Sequence, residues 1–286
     1  MTAMLPRTLV RRAGAVLLAC GLAALLSACF VTPGQFVSTL DIRKDGRFSY
    51  TYQGEIFMLA FSELGKNGKD EAFAPSTCYK EDSGEERDCT GAELAQQRKD
   101  WAAGASERTA KRKKEAEEMR AFLGGIDPSD PKAASKFAEK LQRQNGWKRV
   151  IHKGGGLFDV DFAANGVLSY DFAFPTMEQV ANTNPFVQLS LRSDGTVRLD
   201  APAFGNSASD PLRMMAMGQG LADSSDKDMP KFPKVSGSFT LTTDAGILSN
   251  NTDEGPQTDP AGQRLHWTVG GQTGAAAPMA LLQLRR

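Results

Sequence analysis

From Phe36 to Ile56 apolar and polar residues alternate on either side of a Lys44-Asp45-Gly46-Arg47 break, and this period of two constrains the fold more than any other feature. Phe36, Leu40 and Ile42 share one face of the first arm, and Phe48, Tyr50, Tyr52 and Ile56 share one face of the second. Asp-Gly between two such arms supplies the positive φ that a tight hairpin turn needs. A chain that begins its folded part this way has to bury one face of an antiparallel sheet.

Helical signals follow. Thr90 and Glu93 have capping-box spacing, and the residues after them place Leu94, Trp101, Ala105, Ala116, Met119 and Leu123 near one stripe of a helix that ends at Gly124 and Gly125. Asp130 ahead of Pro131 opens a second helix with Phe137, Ala138 and Leu141 inward, stopping at Gly146. The helical insertion therefore occupies about residues 90–146. Strand patterns return at 147–152, 157–162 and 167–174, the last two joined across an Asn165-Gly166 turn, and at 186–191 and 197–199 around Ser193-Asp194-Gly195. A short Met-rich segment at 211–221 reads as helical, and strands at 235–243, 265–269 and 278–284 close the chain, with a loop at 250–262. Strands interrupted by helices, without strict βαβ alternation, predict an α+β fold: a mostly antiparallel sheet with two inserted helices and the Met-rich helix, in a single domain over 36–286.

The first thirty residues belong to a different kind of segment. Arg7, Arg11 and Arg12 precede an apolar run from Ala13 to Leu26, too short and too rich in Ala and Gly to span a bilayer comfortably, so residues 1–28 read as a signal peptide. The Leu26-Ser27-Ala28-Cys29 run that follows resembles the lipobox of bacterial lipoproteins. That resemblance implies a diacylglycerol on the Cys29 thiol, cleavage before it, and an acyl chain such as palmitate on the new amino end. With two membrane signals or more, such an anchor is effectively permanent. In that class an Asp after the acylated Cys retains the protein in the inner membrane; here Phe30 and Val31 stand there, which implies the outer membrane with the domain facing the periplasm. Residues 29–35 then read as the lipidated Cys and a short tether, reaching about 25 Å at most.

Export settles the cysteines. Cys20 leaves with the signal and Cys29 is acylated, so Cys78 and Cys89, in a polar loop, are expected to form a disulfide worth roughly 3 kcal/mol in the chain-entropy model. A redox or metal pair would call for C-x-x-C spacing or nearby histidines. Charge excludes another class: losing three arginines takes the chain from neutral to about −3, without the basic excess of a nucleic-acid binder.

Sites for chemistry are sparse. His152 and His266 are the only histidines, and with no G-x-S-x-G elbow both read as ordinary strand residues. No motif calls for a cofactor, and no spacing calls for a metal. Asp223 to Asp228 lacks the central Gly and distal Glu of a calcium loop, and Asp244, Asp253 and Glu254 form no pattern. Asp159, Asp161 and Asp171 are expected on one sheet face, with Phe158, Phe162, Leu168, Tyr170, Phe172 and Phe174 opposite. Of these, Phe158, Phe162, Tyr170, Phe172 and Phe174, with Met214, Met215 and Met217, form a possible apolar face for an acyl ligand, although such residues more often make core. The basic block Lys111 to Lys114 is interspersed with Glu107, Glu115, Glu117 and Glu118, as on a solvated helix, though near lipid it could also meet anionic headgroups.

Hairpins, a long helix and a closing strand pair with Trp267 together resemble the small α+β ectodomains of envelope lipoproteins of unknown function, including the LppM-like group. That resemblance carries no site residues. The expected function is a non-enzymatic envelope lipoprotein binding a membrane component or a neighbouring envelope protein; the alternative is a periplasmic hydrolase acting on lipid or cell wall.

Overall fold

A computed structural model describes residues 31–62, 73–80, 84–127, 130–178, 185–205, 233–270 and 276–284. Cys29 and the Met-rich segment at 211–221 lie outside these residues.

The α+β class holds, with the strands divided between two main sheets. The expected hairpin is present: β1 (Val31–Ile42) and β2 (Arg47–Met58) pair antiparallel about a turn in which Gly46 has φ 87° and the Asp45 carboxylate accepts from the Arg47 amide. β3 (Cys78–Tyr79) and β4 (Glu86–Arg87) make a small ribbon. Next come β5 (Trp147–Gly154), β6 (Leu157–Val167), β7 (Phe172–Phe174), β8 (Val187–Leu191) and β9 (Thr196–Asp200). The chain closes with β10 (Ser236–Thr243), β11 (Gly246–Asn250), β12 (Gln257–Asp259), β13 (Gly262–Val269) and β14 (Met279–Gln283). The large sheet has the order β12-β13-β10-β1-β2-β6-β5, and the smaller one β11-β14-β9-β8-β7. All of the main-sheet pairings are antiparallel except β1 with β10.

The two sheets pack face to face because each strand turns its apolar alternate residues the same way. Phe36, Tyr50, Tyr52 and Phe162 of the large sheet meet Phe174, Phe186 and Phe204 from the smaller sheet and its connections, with ring centroids 4.2 to 5.7 Å apart in the closest pairs. Phe174 stands at the centre, touching Tyr50, Tyr52, Trp147, Phe162 and Phe186. Where the large sheet carries Phe158, the cover is helical: Phe61 of the short α1 (Leu59–Ser62) and Phe137 of a later helix both pack on that ring. Of the polar side-chain atoms trapped inside the described residues, His152 Nε2 has no hydrogen-bond partner, whereas the serine and tyrosine hydroxyls between the sheets are paired. Ser38 Oγ donates to the Thr51 carbonyl at 3.0 Å and lies at hydrogen-bond distance, 3.1 Å, from the Tyr50 hydroxyl, and the Tyr52 hydroxyl donates to the Glu55 carbonyl at 2.7 Å. Burial pushes both phenols well above the usual tyrosine range, so they stay neutral.

Three departures from the sequence reading have physical reasons. The expected long helix is two, α2 (Gly91–Ala103) and α3 (Ala105–Phe122), divided at Gly104; α2 has the predicted capping box but buries none of its residues. Leu123, just past α3, does reach the core. α4 (Ala133–Gln142) buries Phe137, Ala138 and Leu141 as expected, but it starts after Lys132 rather than at Asp130-Pro131 and ends at Gln142 rather than Gly146. Asn165-Gly166 is not a turn: β2 is long enough to keep pairing, with Ser49 opposite Asn165 and Phe48 opposite Gly166, and the chain then crosses to the other sheet. Finally, β1 starts at Val31 rather than Phe36.

Candidate functional site

The residues nearest Cys29 define the part of the molecule where an anchored protein would meet lipid. Val31 opposes Met58, Thr32 opposes Phe57 and Pro33 opposes Ile56, so the expected tether residues after Phe30 are already sheet. A register shift follows between Pro33 and Phe36, and the Gln35 amide donates to a Glu55 carboxylate oxygen at 3.1 Å. The bulge brings backbones close: a Cβ on Gly54 would lie 2.2 Å from the Gln35 carbonyl oxygen, and one on Gly237 would lie 2.0 Å from that of Phe36. Beside them lies an open depression of about 400 Å³, lined by Gln35, Phe36, Val37, Gln53, Ser236 and Gly237.

At the same end, the β5–β6 turn runs through Gly154, Gly155 and Gly156, all at positive φ, and the Met58 amide donates to the Gly156 carbonyl at 2.8 Å. Lys153, Gly154 and Gly155 are exposed there, as is Lys234 on the approach to β10. The opposite end of the strands carries the Arg43–Gly46 turn, and the Lys44 amide donates to Asp244 at 2.7 Å.

The other predicted residues are scattered. Cys78 and Cys89 are disulfide-bonded, with Cα atoms 5.2 Å apart. Gln97 of α2 clasps this loop, accepting from the Ser76 amide at 2.9 Å and donating to the Ser76 carbonyl at 3.2 Å. The rings of Phe158, Phe162 and Phe174 are buried and packed on one another or on their neighbours, Phe172 is half-buried against Phe48 and Tyr50, and Tyr170 stands apart at 79% exposure. β6 and β7 do not pair, so Phe162 meets Phe174 across the two sheets, whereas Phe158 is covered by Phe61 and Phe137.

The Asn165-Gly166 crossing also corrects the carboxylate face. Asp159 takes a forked bond from Arg149 at 2.6 and 3.3 Å on the outer face of the large sheet, whereas Asp171 accepts from the Leu191 amide at 2.9 Å in the other sheet. His266 lies on the exposed face with Nδ1 3.0 Å from Thr240 Oγ1. His152 is half-buried beside Phe158; desolvation holds its pKa below the usual histidine value. Among the described residues, no group of three or more His, Cys, Asp or Glu could hold a metal ion, and no helix is long and apolar enough to cross a membrane. Lys111 to Lys114 are exposed on α3, and Asp223 to Asp228, like Met214, Met215 and Met217, lie outside the described residues.

Asn251 escaped the sequence reading. Its Oδ1 accepts from Trp267 Nε1 at 3.0 Å and from the Met279 amide at 2.9 Å, and its Nδ2 donates to the Ala277 carbonyl at 2.8 Å, tying β13 of one sheet to β14 of the other. An Asn in an Asn-Asn-Thr-Asp loop carries no local signal of that role.

No family model matches the chain, and no curated protein matches it. Among solved structures, it is similar to the folded domain of LppM from Mycobacterium tuberculosis, at 16% identity over 89% of this chain and 92% of that one, with a TM-score of 0.30. A superposition this loose carries neither residues nor function across.

Proposed function

We propose that this chain is an exported lipoprotein whose residues 1–28 are removed and whose Cys29 carries diacylglycerol and an N-acyl chain. Its α+β domain resides at the periplasmic face of the outer membrane and acts by binding a membrane component or a neighbouring envelope protein rather than by catalysis. The observation that carries this reading is the Leu26-Ser27-Ala28-Cys29 run, in register behind three arginines and an apolar stretch. Two structural facts support it. The Cys78–Cys89 bond belongs to an oxidising compartment, and the sheet begins at Val31, so a cut before Cys29 would leave the whole described domain intact.

Metabolic labelling with an alkynyl fatty acid, followed by density-gradient separation of the membranes, tests both the anchor and its address. The native chain should take up label and band with outer-membrane markers. The Cys29→Ala variant should take up none and accumulate as precursor. Full labelling of that variant would remove Cys29 as the lipid site, and banding of the acylated native chain with inner-membrane markers would overturn the address.

A further inference from the structure

The start of β1 determines more than a distance from the membrane. Only Phe30 stands between Cys29 and a strand already paired at Val31, so the link spans about 7 Å even when fully extended. β1 is the fourth of seven strands in the large sheet. Three strands lie on each side of it, and at about 4.8 Å per strand either edge is roughly 14 Å away.

A domain lying on the edge of its sheet would lift the end of β1 beyond the reach of its link. Lying on the outer face of the sheet is compatible with the link, but that face is mostly polar, with Asp161, Thr39, Thr240, His266 and the Arg149–Asp159 pair around the exposed Val37 and Ile151. The end where β1 begins presents the exposed lysines 153 and 234 beside the glycine turn. Basic side chains within a Debye length of an anionic leaflet are attracted to it.

We propose that this end of the large sheet, with Lys153 and Lys234 on it, is a bilayer-facing surface that packs against phospholipid headgroups, with the strands standing upright on the membrane. The inference rests on acylation of Cys29. It places the Arg43–Gly46 turn at the far end of a 12-residue strand, roughly 35–40 Å from the leaflet.

Energy transfer measures this directly. A donor dye is attached to a single thiol in the acylated protein, as Lys153→Cys or as Asp45→Cys, with Cys78 and Cys89 left oxidised. Each protein is reconstituted into phosphatidylethanolamine–phosphatidylglycerol vesicles carrying a headgroup acceptor, and intact mass verifies the acyl chains. Transfer from position 153 should exceed that from position 45 by about twofold or more, given a separation of some 35 Å along the strand. Adding Lys234→Glu to the Lys153→Cys protein should lower its transfer. Equal transfer from the two positions in acylated protein would mean that the domain lies flat, and would overturn the upright orientation while leaving the anchor standing. A mass without acyl groups on Cys29 would overturn the anchor, and this orientation with it.

Discussion

Replacing Asn251 with Ala should destabilise the fold well beyond an ordinary surface-loop change, because one amide side chain serves three backbone or ring groups that join the two sheets. The Trp267 indole is 7% exposed, so its N–H would find no water in place of the lost acceptor, whereas the half-exposed Met279 amide and Ala277 carbonyl could be rehydrated. A buried unsatisfied donor costs about 1–3 kcal/mol and each of the two other bonds contributes about 0.5–1.5 kcal/mol, which gives roughly 2–6 kcal/mol for the variant. Urea unfolding of the purified protein, followed by circular dichroism, measures the loss as a shift in midpoint at constant slope. A double-mutant cycle isolates the ring: with Trp267→Phe there is no indole N–H to satisfy, and Asn251→Ala should cost about 1 kcal/mol or more less in that background. A loss under about 1 kcal/mol, or costs identical in the two backgrounds, would refute the role of Asn251 as the pin between the sheets.

Phe174→Ala removes a fully buried ring that touches five other aromatic residues and should destabilise the fold by about 3–5 kcal/mol in the same assay; a cost near 1 kcal/mol would mean that the two sheets close over the gap. At the start of α2, the forked bond from Arg87, then the amide and hydroxyl of Thr90, hold the Glu93 carboxyl down from 4.5 to about 2. Because the folded value is the lower one, the helix cap is fully supported above about pH 4.5 and loses that support as pH falls toward 2. Carboxyl-carbon NMR titration should show the Glu93 midpoint rising in Arg87→Ala, and an unmoved midpoint would show that Arg87 is not the main cause.

What could be read along the chain was what is decided within a few residues. The Asp45-Gly46 and Asp194-Gly195 turns, the Thr90–Glu93 box and the inward face of α4 all depend on neighbours at most four positions away. The parallel pairing of β1 with β10 joins residues some two hundred positions apart, and no local pattern announces it. Asn165-Gly166 misleads for the same reason: its turn propensity is overridden by the distant strand β2, which runs on to Arg47 and keeps the pair in the ladder. The stripe drawn through Leu94 and Trp101 failed differently. Polar and charged residues outnumber apolar ones throughout Glu93–Glu118, so apolar spacing could be found there without enough apolar surface to hold either helix on the core.

The candidate site shows the same division at closer range. The lipobox-like run at Leu26-Ser27-Ala28-Cys29 is a one-dimensional pattern that can be seen in the sequence, whereas the proposed membrane-facing end depends on where β1 begins. Val31-Thr32-Pro33-Gly34-Gln35 reads as a linker because Pro lacks an N–H for a ladder and Gly weakens a strand. The structure shows why both are tolerated. The ladder with β10 starts at Gln35, so among the described residues β1 has a strand partner on one side alone before that point, and Pro33 there occupies an edge-like position that tolerates a missing donor. Gly34 sits beneath Glu55, where a Cβ would lie 2.7 Å from the carboxylate oxygen, and the bulge then re-aims the strand into the sheet at Phe36. The two residues that look like slack are therefore what let the strand continue almost to Cys29. A chain with true slack there would let the domain tumble above the leaflet. With these residues paired to β2, a single residue of sequence, Phe30, separates Cys29 from the described sheet.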